Sequence, residues 1–376
     1  MPQKPSDKTE NPSAFKHWIN KALFERMAES ISGVYGKFDS RAFILQSKKI
    51  EPLELKQRVQ FVSALLHEGL PKDFRHAVKI LQKSLEAGKL DGFDLWPYTE
   101  FVQTYGLEDF DESMLALREF TKVFTSEFAV RPFLKRYPEK TLALLSKWAT
   151  DESRHVRRWV SEGTRPRLPW GERLEIFVKQ PQLTLPLLEK LKSDPEIYVR
   201  KSVANHLNDI AKDHPDLVVK VLKRWQAQAK NEDLAKFHWI RNHALRVLIK
   251  QGYEPALELI GINSKAKIGV RGLSLRQDRY RVNDLIEFEF KVVSLEKNEQ
   301  KLVIDYVIHH VKSNKERTPK VFKLKNVILK PGEALRLKKK HSLKPITTRR
   351  YYPGKHLLEI QVNGKILAKR EWVLEA

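Results

Sequence analysis

From His155 to Trp170 the chain sets one carboxylate, Glu162, among four arginines and ends on a tryptophan. Val156, Trp159 and Val160 fall at helical spacing and give one apolar stripe, so the first half reads as a helix. Arg158 and Glu162 are four apart and lie one above the other on a helix face. Gly163 is expected to end that helix in the left-handed conformation. Pro166 and Pro169 then hold Arg165 and Arg167 in a stiff loop outside any helix. Arginines suit a phosphate backbone and a tryptophan face suits a flat ring. A carboxylate contributes nothing to holding a polyanion, so its presence points to work beyond binding.

An internal repeat supplies further carboxylates. Asp151, Val156, Arg157, Arg158 and Val160 recur as Asp194, Val199, Arg200, Lys201 and Val203, each displaced by 43 residues. A looser copy begins at Ile240. Periods of about 40–47 residues belong to HEAT-like helix pairs, which stack so that the second helix of each pair lines one face. On that register Glu162 maps to Asn205, and Asp209 lies one helical turn further along the same face. Glu127 precedes them at a helix junction among aromatic residues. Three carboxylates are thus expected on one surface, rimmed by Arg157, Arg158, Arg165, Arg167, Arg200 and Lys201.

The elements that must position these groups are helices. Residues 14 to about 262 read as thirteen of them, at 14–30, 39–47, 52–68, 72–87, 95–104, 111–126, 138–149, 153–162, 171–179, 182–192, 195–210, 215–230 and 235–250. From 265 the texture changes to seven short alternating or β-branched runs in about 110 residues, with turn signals at Pro331-Gly332, Pro353-Gly354 and Asn363-Gly364. That pattern predicts an immunoglobulin-like β-sandwich without a disulfide. Its loops carry basic clusters that include Lys312, Arg349 and Arg350. The expected organisation is a loose tail at 1–13, a HEAT-like helical-repeat solenoid at 14–264 and an immunoglobulin-like domain at 265–376. The fold class is therefore mainly α, followed by a β-sandwich.

Composition bounds the partner. The 376 residues hold 70 Lys and Arg against 47 Asp and Glu, a formal charge of +23, and residues 265–376 alone hold 27 against 12. Such an excess favours nucleic acid over an anionic membrane, for which an amphipathic basic helix is lacking. Cysteine is absent, which excludes disulfides, thiolate nucleophiles and cysteine-held zinc. No apolar core like that of a signal peptide and no run of 18 apolar residues occurs, so a cytoplasmic location is expected.

The chain resembles the AlkC/AlkD family of DNA alkylation-repair glycosylases, and closely its AlkC branch. The residues that carry the resemblance run from Ser126 to Phe133, from His155 to Trp170 and from Ser202 to Asp209 in the helical part. In the strand part they are 305–312, 318–323 and 347–354. The resemblance implies excision of cationic alkylated bases such as 3-methyladenine and 3-methylcytosine by hydrolysis of the N-glycosidic bond. It implies no cofactor and no metal. It further implies a lesion kept near the duplex and DNA bent around a concave surface; a monomer acting on double-stranded DNA, with no obligate protein partner, is expected. Glu127, Glu162 and Asp209 match the catalytic carboxylates, and Arg158 and Trp170 their neighbours. Trp159 departs from the small or aliphatic residue that the pattern leads one to expect after the two arginines.

Plain structural readings compete with these. Arg158–Glu162 alone is ordinarily a surface ion pair worth under about 1 kcal/mol. Asp209 could cap or solvate a helix end, Glu127 could serve the next helix N-terminus, and Trp170 could be a core staple. On those readings the chain is a non-catalytic helical repeat that binds bent or damaged DNA. His309 and His310 are neighbours on a strand and point to opposite faces, which disfavours a metal pair.

Overall fold

The computed structural model describes residues 15–346 and 349–375; the tail expected at 1–13 lies outside them. The helices are α1 (Lys21–Ser32), α2 (Ser40–Leu45), α3 (Leu55–Gly69), α4 (Phe74–Leu85), α5 (Trp96–Tyr105), α6 (Phe110–Thr121), α7 (Val130–Arg136) and α8 (Pro138–Trp148). They continue as α9 (Arg154–Gly163), α10 (Glu175–Lys179), α11 (Leu185–Leu191), α12 (Ile197–Ile210), α13 (Pro215–Gln228), α14 (Leu234–Ala244), α15 (Arg246–Gln251) and α16 (Glu254–Leu259). None is long and apolar enough to cross a membrane.

Local chemistry explains most boundaries. Asn20 accepts from the Leu23 amide at 3.2 Å and starts α1 at Lys21, so the helix expected from 14 is a 3-10 turn followed by a capped helix. Asp39 and Asp73 cap α2 and α4 in the same way. The helix expected at 235–250 breaks at Leu245 into α14 and α15. Two short helices, α7 and α16, were not legible, because each carries a proline near its start and spans too few residues to show a period.

The repeat is visible as a ladder of ion pairs. Arg118 of α6 meets Asp151 at 2.5 Å, and Arg157 of α9 meets Asp194 at 2.6 Å. Arg157 also donates to the carbonyls of Asp151 and Glu152, and Arg200 to those of Asp194 and Pro195. The recurring Asp–Arg spacing in the sequence is therefore the joint between successive helix pairs. Val156, Trp159 and Val160 are all buried, as the apolar stripe requires. Trp159 is accommodated by stacking on Trp148, ring centroids 5.5 Å apart.

The chain forms two compact units that divide between Asp209 and Ile210. The change from helix to strand does fall near 265, but the last helices belong with the strands that follow. Gln361 donates to the Lys250 carbonyl at 2.6 Å and Asn363 to that of Asn263 at 3.1 Å. Leu257, Ile262 and Val303 bury one another. Gly252, at φ 71°, lies so close to Gly364 that a Cβ on Gly364 would stand 2.0 Å from its Cα. Only glycine at both positions allows this approach.

The sandwich has eight strands: β1 (Ile268–Leu275), β2 (Arg279–Tyr280), β3 (Leu285–Ser294), β4 (Gln300–Val311), β5 (Arg317–Leu329), β6 (Ala334–Ser342), β7 (Gly354–Val362) and β8 (Lys365–Leu374). One sheet has the order β1-β3-β6 and the other β2-β8-β7-β4-β5. The two-residue β2 is the strand that seven apolar runs did not predict. The Asn363-Gly364 turn joins β7 and β8 with Val362 opposite Lys365, as its sequence signal requires. Lys338 and Lys340 sit on the edge strand β6 and pair with Glu289 and Glu287 of β3. His309 bonds Glu359 at 2.7 Å, while His310 turns inward beside His341 and His356.

Candidate active site

The site is built on α9, the loop that follows it, the turn before α7, and α12. Helix α9 does not end as expected. Gly163 is its last helical residue and has no positive φ; the cap is Thr164, whose hydroxyl donates to the Val160 carbonyl at 2.7 Å. Glycine is needed at 163 for space, since a Cβ there would meet Val130 at 2.7 Å. This close packing sets α9 against the start of α7 and brings Glu127 beside Arg158.

Arg131 then pins the loop. It is 1% exposed and donates to the carbonyls of Gly163 at 3.0 Å, Arg165 at 2.9 Å and Glu172 at 2.7 Å. Burial lowers its pKa to about 10. The sequence reading missed this residue. The available signal was an arginine inside an otherwise apolar stretch, Ala129 to Leu134, with no acidic residue at helical spacing except Glu127.

The three carboxylates converge in one chain of ion pairs. Arg165 is 7% exposed and joins Glu162 (5%) to Asp209 (1%), with Nη1 2.7 Å from Glu162 Oε1 and Nε 2.8 Å from Asp209 Oδ2. Arg158 joins Glu127 to Glu162, its Nη2 3.1 Å from Glu127 Oε2 and 3.7 Å from Glu162 Oε1. The expected Arg158–Glu162 pair is thus the loosest link, and Arg158 also lies over the Tyr198 ring at 4.8 Å. Arg165, expected on the rim of a groove, is buried between two carboxylates instead. Burial opposes its charge, but Glu162 and Asp209 outweigh that and raise its pKa.

Arg157 and Arg200 are likewise drawn into the ladder described above rather than standing clear at a rim. Lys201, by contrast, is exposed, and Arg167 is half-buried. Lys312 lies exposed at the β4–β5 turn, Arg349 packs over Phe322 and Tyr351, and Arg350 is exposed.

Electrostatics distinguishes the members. Two arginines link the three carboxylates, and the buried Arg131 acts on Glu127 and Asp209 from nearby. Burial pushes the Glu127 carboxyl up, with Arg158 opposing and Glu162 reinforcing the shift. Thr125 and Arg158 both donate to Glu127 Oε2, and both arginines approach Glu162 at Oε1. Glu127 Oε1 and Glu162 Oε2 take no part in these contacts. Behind them His206 is fully buried between the Ser161 carbonyl and Thr184, and burial holds it neutral with a pKa of about 3.

Trp170 is not a core staple. It is 57% exposed and has φ 63°, an unusual conformation for a bulky residue that costs about 1–3 kcal/mol. Lys56 holds the Trp170 carbonyl and Arg131 holds the Glu172 carbonyl two residues on, so the strained corner is fixed from both sides. The loop delays α10 to Glu175, four residues beyond the expected start.

Residues 48–247 match the family model described as DNA alkylation repair enzyme, and residues 269–376 match one described as the C-terminal Ig-like domain of YhaZ. The chain is 37% identical over 353 residues to "Uncharacterized protein YhaZ" of Bacillus subtilis (strain 168), covering 93% of this chain and 96% of that protein. It is similar to the structure of Pseudomonas fluorescens alkylpurine DNA glycosylase AlkC bound to DNA containing an abasic site analog. That match has a TM-score of 0.90 and 37% identity, and covers 96% of this chain and 100% of that one.

Proposed function

The chain belongs to the DNA alkylation repair enzyme family, on its AlkC branch, and from that premise we propose that it is a monofunctional DNA glycosylase for cationic alkylated bases. Its substrates are N3-alkylated bases, 3-methyladenine and 3-methylcytosine, in double-stranded DNA. The observation that carries the reading is the convergence of three carboxylates from separate segments in the Glu127–Arg158–Glu162–Arg165–Asp209 chain.

An N3-alkylated base already bears a positive charge. When the C1′–N bond breaks, its electron pair passes to the base and neutralises it, so no general acid is required. Positive charge develops on the sugar instead. A fixed negative field in a site of low dielectric stabilises that charge without reorganising during the reaction. Glu162 and Asp209 supply the field, and Arg165 fixes both carboxylates in place. The oxygen of a water then bonds to C1′ and its proton goes to a carboxylate. Glu127 suits this last role, because its Oε1 takes no part in the contacts to Thr125 and Arg158 and its raised pKa favours accepting a proton. Trp170 offers its face to the lesion or its sugar, and Lys201 with the basic loops of the sandwich meets phosphates.

Base release from methylated duplex DNA, with chelator present throughout, tests the proposal. Glu162→Gln is expected to lower the single-turnover rate about 10²–10³-fold, the range typical of removing one fixed electrostatic partner of a transition state. DNA binding should survive the change. Release unaffected by both Glu162→Gln and Asp209→Asn would sink the assignment.

A further inference from the structure

Beside the carboxylate chain lies a separate cavity of about 160 Å³. It is bounded by α3, α5, the start of α7 and the Trp170 corner, and none of Glu127, Glu162 and Asp209 lines it. Charged Lys56, Arg131 and Glu172 stand at its wall beside two further kinds of group. Trp96, Phe128 and Trp170 supply ring faces, while Gln60, Glu100 and Gln103 supply hydrogen-bonding groups. Trp96 and Phe128 are stacked, centroids 5.4 Å apart at 18°. Gln103 donates to Glu100 Oε2 at 2.6 Å, and Gln60 is a second hydrogen-bonding neighbour. Burial raises the pKa of Glu100. A largely buried carboxyl group set among two amides and three aromatic rings, with Lys56 as its opposite charge, is an expensive arrangement for a plain scaffold. The volume is well below the roughly 300–1,000 Å³ of pockets for drug-sized ligands, and suits a single ring system.

The cavity also shares its supports with the candidate active site. Phe128 follows Glu127 directly. Arg131 lines the cavity and also holds the carbonyls of Gly163 and Arg165. Lys56 and Arg131, which hold the Trp170 and Glu172 carbonyls, keep one wall where it is. A planar base leaving the carboxylates would thus meet an aromatic-walled recess on the other side of the same loop.

We propose that this cavity binds the aminated heterocyclic base released by the reaction, stacking it on the tryptophan and phenylalanine rings and reading its amine edge with Glu100, Gln60 and Gln103. The inference rests on the glycosylase reading for the origin of the base. Its chemistry, stacking plus hydrogen bonds to one edge, is that by which proteins read unpaired bases in general. The exocyclic amine donates to the Glu100 carboxylate, and ring nitrogens accept from the two amides.

Free 3-methyladenine titrated against the intact chain without DNA tests this directly, with binding read by saturation-transfer NMR or calorimetry. Wild type is expected to bind. Glu100→Gln and Gln103→Leu should each weaken binding tenfold or more, with unfolding midpoints that match wild type to show that the fold is kept. Glu162→Gln should bind the free base as wild type does. Binding that is absent in wild type, or indifferent to both cavity substitutions, would overturn the proposal. A 2-aminopurine bulge in duplex DNA supplies the other source of the same chemistry. A fluorescence change on that probe that needs Glu100, with no binding of free base, would also overturn it in favour of a base still on its strand. Free-base binding alongside a wild type that releases no base from any methylated duplex would retain the cavity as a base site and remove the glycosylase reading instead.

Discussion

Two arginine–carboxylate networks run through the same helices, and they are built to opposite ends. In the ladder, Arg118 and Arg157 each meet one aspartate of the next helix pair, and Arg157 gives its remaining donors to backbone carbonyls. An ion pair closes each joint. In the corner, one residue along from Arg157, Arg158 begins a chain in which two arginines link three carboxylates drawn from three segments. The residue types are the same; the connectivity differs. A pair across two helices is a joint, whereas a set that gathers carboxylates from three segments concentrates acidic groups at one place.

The largest expected effect breaks the corner. Arg165→Leu leaves Glu162 and Asp209 buried without their shared partner, and such a loss typically costs about 3–5 kcal/mol. Chemical denaturation of the intact chain should show it. A change below about 1 kcal/mol would mean that the two carboxylates are solvated in a way their burial contradicts. Arg157→Met breaks the ladder instead. It removes one matched pair and leaves Asp194 with a bond to the Glu196 amide, so a loss of about 1–3 kcal/mol is expected. If Arg157→Met proved the more damaging of the two, the contrast between joint and corner would fail.

The pH profile sharpens the comparison. In the proposed mechanism Glu127 must be ionised to take a proton from water, and its folded pKa is raised. Activity is therefore expected above that pKa and its loss as pH falls through it, with an acid limb above the ordinary carboxylate range. Single-turnover rates across pH 4–8 should show the limb in wild type and lose it in Glu127→Gln. A limb that persists in the variant would shift the role to another group. The smallest effect concerns neighbours on α12. Lys201 is exposed while its neighbour Arg200 is tied into the ladder, so Lys201→Gln should reduce the slope of log affinity against log salt by about 0.9, one phosphate contact. Arg200→Gln should move stability more than slope, measured by DNA titration at several salt concentrations.

Much of this was legible in the sequence. The 43-residue displacement of Asp151, Arg157 and Val160 onto Asp194, Arg200 and Val203 revealed a helical repeat, because stacking identical pairs demands the same joint each time. Asn363-Gly364 between two apolar runs specified a hairpin, and alternation specified the sandwich. The resemblance marked Glu127, Glu162 and Asp209, which the fold does bring together. What it could not resolve is who pairs with whom. Arg158 and Glu162 stand at helical spacing, yet Arg165, held in a loop by a side chain from α7, has the tighter contact.

The local code settled what depends on neighbours a few residues away: helix starts, turns, apolar faces and the period of the repeat. The tertiary structure decided what depends on distant partners. It made Gly163 a packing residue rather than a left-handed cap, buried Arg165 between two helices' carboxylates, and held Trp170 in strain from α3 and α7. It also joined α13–α16 to the strands that follow rather than to the repeat before them. Connectivity in a buried cluster is a property of the assembled fold, because burial and pairing arise only when segments far apart in the chain meet.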